Sequence, residues 1–279
     1  MNTQRIDSHQ HFWLLSRGDY QWLTPQLDTL YRDYLPTHLI DLMHQANVHK
    51  TIVVQAADSV AETHYMLELA GQHDFIAGVV GWIDMLADEA VPQLQQLAGN
   101  AKFKGIRPML QDIEDPAWIL NKKLDPVFKA LIANGLRFDA LVKPVHLPYL
   151  VTLLERYPEL KVVINHGAKP DIASGDTTLW YQSIRTISEF KNVYCKLSGL
   201  ITEAGEHTEY KRISPFMQHL YDCFGASHLM YGSDWPVLNL AADYLTWSAY
   251  VERFIQDFDS TEQQAIWHDS AAKFYDITK

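Results

Sequence analysis

Short apolar, β-branched runs alternate along the chain with stretches in which apolar residues recur every three or four positions. The first pattern predicts buried strands and the second amphipathic helices. Strands are predicted at Arg5–His11, Lys50–Ala56, Ile76–Asp84, Lys102–Leu110, Leu136–Lys143, Lys161–His166, Val193–Leu200 and Leu229–Asp234. Helices are predicted at Thr37–Ala46, Ala61–Gln72, Ala87–Ala98, Leu124–Asn134, Pro148–Tyr157, Thr178–Phe190, Ser214–Phe224, Ala241–Asp257 and Thr261–Phe274. Gly135 reads as a helix stop, and Ser260 with Gln263 three residues on reads as an N-cap with its capping box. Eight strands alternating with helices predict an α/β fold, a parallel (β/α)8 barrel of the TIM type. A doubly wound open sheet is the structural alternative. It would normally carry a glycine-rich phosphate turn after the first strand, where this chain has His9-Gln10-His11-Phe12-Trp13.

The length of 279 residues fits one such barrel, and no linker or low-complexity segment divides it, so residues 1–279 are expected to form one domain. A formal charge of −11 without a basic run gives no electrostatic footprint for nucleic acid or anionic membrane. No apolar run approaches the roughly 20 residues of a membrane span. With no cleavable hydrophobic leader in view, a cytoplasmic protein is expected. The two cysteines, Cys195 and Cys223, suit a reducing compartment and lack zinc-site spacing.

In a barrel of this kind the active site is built by the loops after the C-terminal strand ends. His9 and His11, two apart on a strand, project into one space, where they suit a metal or a carbonyl. Further ends carry Arg107 and Gln111, His146, Asn165-His166-Gly167-Ala168-Lys169-Pro170, Lys196-Leu197-Ser198-Gly199, and Gly232-Ser233-Asp234-Trp235-Pro236. Each has a bland explanation alone: His146 as a loop residue, Arg107 as an ion-pair partner, Asp234 as a helix cap. Convergence of titratable groups from separate strands on one mouth favours function over packing. Trp13, Trp82 and Trp235 sit at strand ends, where an indole face packs against a sugar ring or anchors a loop.

These segments, from Ile6-Asp7-Ser8-His9-Gln10-His11-Phe12-Trp13 through Lys104-Gly105-Ile106-Arg107, His146-Leu147-Pro148, Asn165–Pro170 and Cys195–Leu200 to Tyr231–Pro236, resemble the amidohydrolase superfamily. Within it the chain is similar to the lactonase-like branch that includes sugar-lactone hydrolases of the fuconolactonase and rhamnonolactonase type and pyrone-dicarboxylate lactonases. The resemblance implies a distorted (β/α)8 barrel in which His9, His11, His166 and Asp234 hold a cation in the metal-dependent members. Dinuclear members need a bridging carboxylated lysine or a glutamate at the fourth strand and usually histidines from both the fifth and sixth. Here the fourth offers Lys104 and Arg107 and His146 lies just past the fifth, so one divalent, zinc-like cation or none is expected rather than two. The branch includes members that act without metal.

The expected reaction is hydrolysis of a small sugar-acid lactone. Asp234 is the candidate base, with His9, His11, His166 and Arg107 as further catalytic candidates that polarise the carbonyl and hold its oxygen. His146, Lys196, Trp13 and Trp235 are candidate substrate contacts. A metal-dependent non-oxidative decarboxylase of the same superfamily is the rival enzyme, and a carbohydrate-binding barrel without turnover is the rival from another class. Specificity is expected to lie in the loops Ser16–Tyr34 and Leu200–Arg212. Glu203, Glu206 and His207 of the second loop either touch substrate hydroxyls or form a solvated face.

Overall fold

The computed structural model describes residues 4–277. Eight parallel strands lie side by side in chain order: β1 (Arg5–Gln10), β2 (Val48–Val54), β3 (Ile76–Gly81), β4 (Phe103–Ile106), β5 (Arg137–Ala140), β6 (Lys161–Ile164), β7 (Val193–Leu197) and β8 (Leu229–Tyr231). With three residues β8 is short, and the barrel is closed beyond it. Asp234 N donates to His9 O at 2.8 Å and His11 N to Trp235 O at 2.8 Å, so the segment after β8 runs parallel to the end of β1. The Asp7 carboxyl clamps this seam from below, accepting from Ser233 N at 2.8 Å and from the Tyr244 hydroxyl at 3.0 Å.

The helical layer comprises α1 (Pro36–Gln45), α2 (Val60–Gln72), α3 (Ala90–Ala98), α4 (Asp125–Ala133), α5 (Leu147–Arg156), α6 (Thr178–Ser188), α7 (Tyr210–Phe224) and α8 (Tyr244–Ile255). Each turns an apolar stripe toward the strands, as Leu147, Leu150, Leu153 and Leu154 do on α5. The chain ends with α9 (Ser260–Gln264), a π-helical turn at Ala265–Asp269, and α10 (Ser270–Tyr275). A second apolar cluster fills the barrel itself. Ile6, Ile52, Val54, Val80, Val163, Tyr194 and Met230 pack there on Ala271, Phe274 and Tyr275 of α10.

Most strands are shorter than the apolar runs suggested. The run at Lys102–Leu110 leaves the ladder after Ile106, and that at Val193–Leu200 after Leu197. The residues beyond these points bend away to build the mouth. Ser260 does not cap α9. The cap is Asp259, whose carboxylate accepts from Thr261 N at 2.8 Å and Glu262 N at 2.9 Å, with Glu262 completing the capping box. A carboxylate outcompetes the neighbouring hydroxyl for the positive end of a helix. Nor is the last helix continuous. The π turn interrupts it, because Trp267 packs on Tyr231 with ring centroids 4.6 Å apart while Phe274 and Tyr275 enter the barrel. No helix among the described residues is long and apolar enough to cross a membrane.

Candidate active site

His9 and His11 leave the end of β1 and bring their Nε2 atoms within 3.2 Å of each other. Asp234 Oδ1 lies 3.2 Å from His11 Nε2 and 3.6 Å from His9 Nε2. His166 Nε2 reaches the same oxygen at 3.7 Å. All four side chains are buried.

The backbone is bent to achieve this. His166 and Asp234 both adopt left-handed conformations, with φ of 53° and 61°, which cost roughly 1–3 kcal/mol each for such residues. Surrounding bonds hold them there. Trp180 Nε1 donates to Gly167 O at 2.6 Å, and Asp234 N is fixed on His9 O. Gly199, with φ of 63°, passes so close to His166 that a Cβ would lie 2.6 Å from its ring.

A hydrogen bond fixes which nitrogen of the His11 imidazole carries the proton. A carbonyl only accepts, so His11 Nδ1, 2.7 Å from Val54 O, is the protonated one. The His11 ring therefore offers its Nε2 lone pair to the shared space. His166 Nδ1 is 2.9 Å from Ser198 Oγ, a hydroxyl that can donate or accept. His9 lies between two cationic groups, Lys196 Nζ at 3.2 Å from Nδ1 and Arg107 Nη1 at 3.3 Å from Nε2. Burial, then Lys196 and the neighbouring histidines, push the His9 imidazole well below its ordinary range. Burial pushes His11 down against the pull of Asp234, and takes His166 down to about 3. All three rings are thus neutral near pH 7. Burial pushes the Asp234 carboxyl up, but His166, the His11 hydrogen bond and Lys169 outweigh it and hold the group at about 2. It is an anion at neutral pH.

Three neutral imidazoles and one carboxylate form a donor set suited to a divalent cation. The ligand atoms of His9, His11 and Asp234 all lie within 4.8 Å of one another. Within that trio the separations of 3.2–3.6 Å bracket the roughly 3.3 Å edge of a tetrahedron around zinc with bonds near 2.0–2.1 Å, and His166 Nε2 stands outside it, 3.7 Å from Asp234.

Arg107 follows β4. Its backbone N donates to Gly81 O at 2.9 Å, and its guanidinium donates through Nη2 to Gln55 O. Gln55 Nε2 in turn donates to Arg107 O at 2.7 Å. Lys196, fully buried on β7, forms a 2.5 Å ion pair with Asp139 of β5 beneath His9. Burial pulls the Lys196 ammonium below its ordinary range, and Asp139 opposes this.

A cavity of about 250 Å³ opens above these groups. His11, Arg107, His166 and Asp234 line its floor, and Trp22, Met109, Leu141 and Val237 give it an apolar wall. Gln111, Asp112 and Lys169 supply polar groups at its side. Lys169 is paired with Glu203 at 3.3 Å. Among the described residues, Arg107 Nε and Gln111 Oε1 are buried without a hydrogen-bond partner.

Other residues singled out in the sequence lie elsewhere. Trp13 is fully buried, donates from Nε1 to Arg32 O at 2.8 Å, and backs the pocket residue Trp22 with ring centroids 5.5 Å apart. Trp235 packs against Tyr34 and faces a different cavity, between α1 and α8. His146 does not line the pocket: it folds back on its own turn, with Nδ1 accepting from Lys143 N at 3.1 Å. Sequence reasoning gave no role to Trp22, Met109 or Lys169. Only Lys169 carried a signal, its place three residues after His166.

The fold and this His/His/His/Asp mouth define a barrel of the amidohydrolase kind. The amidohydrolase family model matches residues 6–277, and the chain belongs to that family. It is 43% identical over 281 residues to L-fucono-1,5-lactonase of Burkholderia ambifaria, covering 99% of this chain and 97% of that protein. A second L-fucono-1,5-lactonase, from Burkholderia multivorans, is 36% identical over 287 residues, again covering 99% and 97%. The crystal structure of a Burkholderia multivorans amidohydrolase with bound zinc superposes with a TM-score of 0.93 at 36% identity, over 99% of this chain and 100% of that one.

Proposed function

We propose that the chain is a lactonase that opens the ring of a sugar-acid lactone, with a 1,5-lactone of a 6-deoxyhexonic acid as the favoured substrate. The observation that carries this is one anionic carboxylate and three neutral imidazoles meeting beside a buried guanidinium on the floor of a small pocket. The fuconolactonase relatives support the substrate class. The pocket supports the size. At about 250 Å³ it falls below the roughly 300–1,000 Å³ of drug-sized ligand sites and suits a single sugar ring. The wall of Trp22, Met109 and Val237 suits a methyl-bearing edge, and Gln111, Asp112 and Lys169 suit hydroxyls.

His9, His11, His166 and Asp234 would hold the cation, proposed to be zinc. When bound, it supplies Lewis acidity that polarises a carbonyl and acidifies water. A carboxylate held as low as Asp234 is a weak base, which the acidity a bound cation would lend to water would offset. The residues then divide the work. Asp234 receives the proton as water oxygen bonds to the lactone carbonyl carbon. Arg107, whose Nη1 points among the imidazoles, stabilises the charge that develops on the carbonyl oxygen. The bond from that carbon to the ring oxygen breaks, and Asp234 returns its proton to the departing alkoxide. The product is a hydroxy acid, which ionises and releases one proton at neutral pH.

The test is proton release from purified protein against sugar 1,4- and 1,5-lactones, with and without a chelator. Turnover of 6-deoxy 1,5-lactones that a chelator abolishes and zinc restores is the expected result. No release from any lactone under any metal condition would overturn the proposal.

A further inference from the structure

The C-terminal helix reaches the catalytic groups from beneath. Tyr275, the last residue of α10, is fully buried inside the barrel. Its hydroxyl donates to the Asp139 carboxylate, at 2.9 Å from Oδ1 and 3.0 Å from Oδ2. Asp139 is itself fully buried, and its Oδ2 also accepts from Asn165 Nδ2 at 3.1 Å and Lys196 Nζ at 2.5 Å. Lys196 Nζ lies 3.2 Å from His9 Nδ1 and 5.3 Å from the centre of the Tyr275 ring. Thus one continuous chain of polar contacts runs from the end of α10 to a nitrogen of His9.

Two features hold α10 in this position. Arg137 Nε donates to Phe274 O at 2.5 Å, and Lys104 Nζ donates to Asp276 O at 3.1 Å. The π turn before α10 directs Phe274 and Tyr275 into the barrel while Trp267 stays packed on Tyr231. A phenylalanine would fill the same apolar space among Ile52, Val80 and Val163. The hydroxyl is unnecessary for packing, and Asp139 is its single hydrogen-bond acceptor among the described residues.

We infer that Tyr275 is a positioning residue for the active site, its hydroxyl fixing Asp139 so that Lys196 holds the His9 imidazole in the orientation that serves the catalytic cluster. The inference rests on the reading of that cluster as a hydrolytic, cation-holding centre. Its physical basis is the acceptor inventory of Asp139. A buried carboxylate with both oxygens bonded presents Lys196 with one geometry, and without the Tyr275 hydroxyl the carboxylate is held through Oδ2 alone while Oδ1 loses its donor among the described residues.

The experiment compares full-length Tyr275→Phe with Phe274→Leu, a variant of the neighbouring residue that perturbs the packing of α10 but has no side-chain polar contact. Three quantities are measured: thermal midpoint, kcat and KM on a lactone, and zinc affinity by competition with a chromophoric chelator. Loss of an outer partner of a ligating histidine typically costs 10–100-fold in affinity or activity. Since Tyr275 acts through two intervening side chains, Tyr275→Phe is expected to lower kcat about tenfold, leave KM within about twofold, and weaken zinc binding about tenfold. Phe274→Leu is expected to lower the thermal midpoint while kcat and zinc affinity stay at the parent values. In a Lys196→Met background, Tyr275→Phe should weaken zinc no further.

Parent values of kcat and zinc affinity in Tyr275→Phe would overturn the inference. So would equal losses in Phe274→Leu, which would reduce α10 to a structural plug. If the unaltered chain turns over no lactone, the proposed reaction fails, while the zinc arm still decides whether Tyr275 positions His9.

Discussion

Replacing Glu62 by glutamine should change how stability depends on pH, and the size of the change follows from its surroundings. Glu62 lies in the first turn of α2 and is fully buried. Its carboxyl accepts from Ala56 N at 3.1 Å and Ala57 N at 2.9 Å, which shapes the loop after β2 behind Arg107. Burial pushes the group from 4.5 up to about 7, against those backbone bonds and the pull of Arg107. The sign follows from linkage. Below 4.5 both folded and unfolded chains carry the proton. As pH rises toward 7 the unfolded chain gives it up first, so stability that is fully present in acid is lost through this window.

At about 1.4 kcal/mol per tenfold, the loss is about 3 kcal/mol. Glutamine does not titrate. The variant-minus-parent stability should therefore be about 3 kcal/mol more favourable near pH 8 than near pH 4.5. Taking this difference cancels the fixed cost of the amide and the titrations common to both chains, including that of Asp7, itself raised to about 6. Urea unfolding at the two pH values, with chelator present throughout, measures it. A difference below about 1 kcal/mol, or of opposite sign, would refute the account of Glu62 as a carboxyl whose ionisation is opposed by burial.

Two further outcomes are expected. Gly199→Ala places a methyl 2.6 Å from the His166 ring on a backbone at φ of 63°, so kcat should fall at least about tenfold, with a lower thermal midpoint; parent kinetics would show that His166 does not need its present position. Bound zinc should be retained on acidification from pH 6.5 to about 5 and released only as the pH falls toward about 3, because burial keeps the His9, His11 and His166 imidazoles neutral below their ordinary range; metal content followed by a chromophoric chelator tests this, and loss already at about pH 5 would contradict it.

The alternation of apolar runs with helical stripes made the barrel legible, because each strand is buried on both sides and each helix on one. The mouth was legible for the same reason: His9, His11, Arg107, His166 and Asp234 stand where the apolar runs stop, and the structure brings them together. Periodicity could not show where those runs leave the ladder. Nor did it show that His166 and Asp234 take left-handed backbone, since aspartate and histidine visit that conformation only occasionally and a hydrophobic pattern carries no mark of it. His146 stood at a strand end like the others, but a local bond to Lys143 turns it away from the pocket.

The aromatic residues were harder still. Trp13 and Trp235 occupy strand ends, yet both pack behind the mouth, and Trp22, from the long loop after β1, lines the cavity. Loop paths depend on contacts distant in sequence, such as Trp22 Nε1 donating to Ala56 O at 2.7 Å. The role inferred for Tyr275 was hidden for the same reason. It lies one residue beyond the predicted end of the last helix, and its link to Asp139 spans 136 positions.

The central claim is that Asp234 moves the proton of the attacking water while sharing a cation with the three histidines. Single-turnover ring opening by Asp234→Asn, measured on protein whose fold and zinc content have been determined, tests it most directly. Asparagine keeps the shape and removes the charge and the proton acceptor. The account predicts a loss of at least about 10²–10³ in rate with the fold intact. Ring opening within about tenfold of the parent would contradict it, because the proton would then have another acceptor.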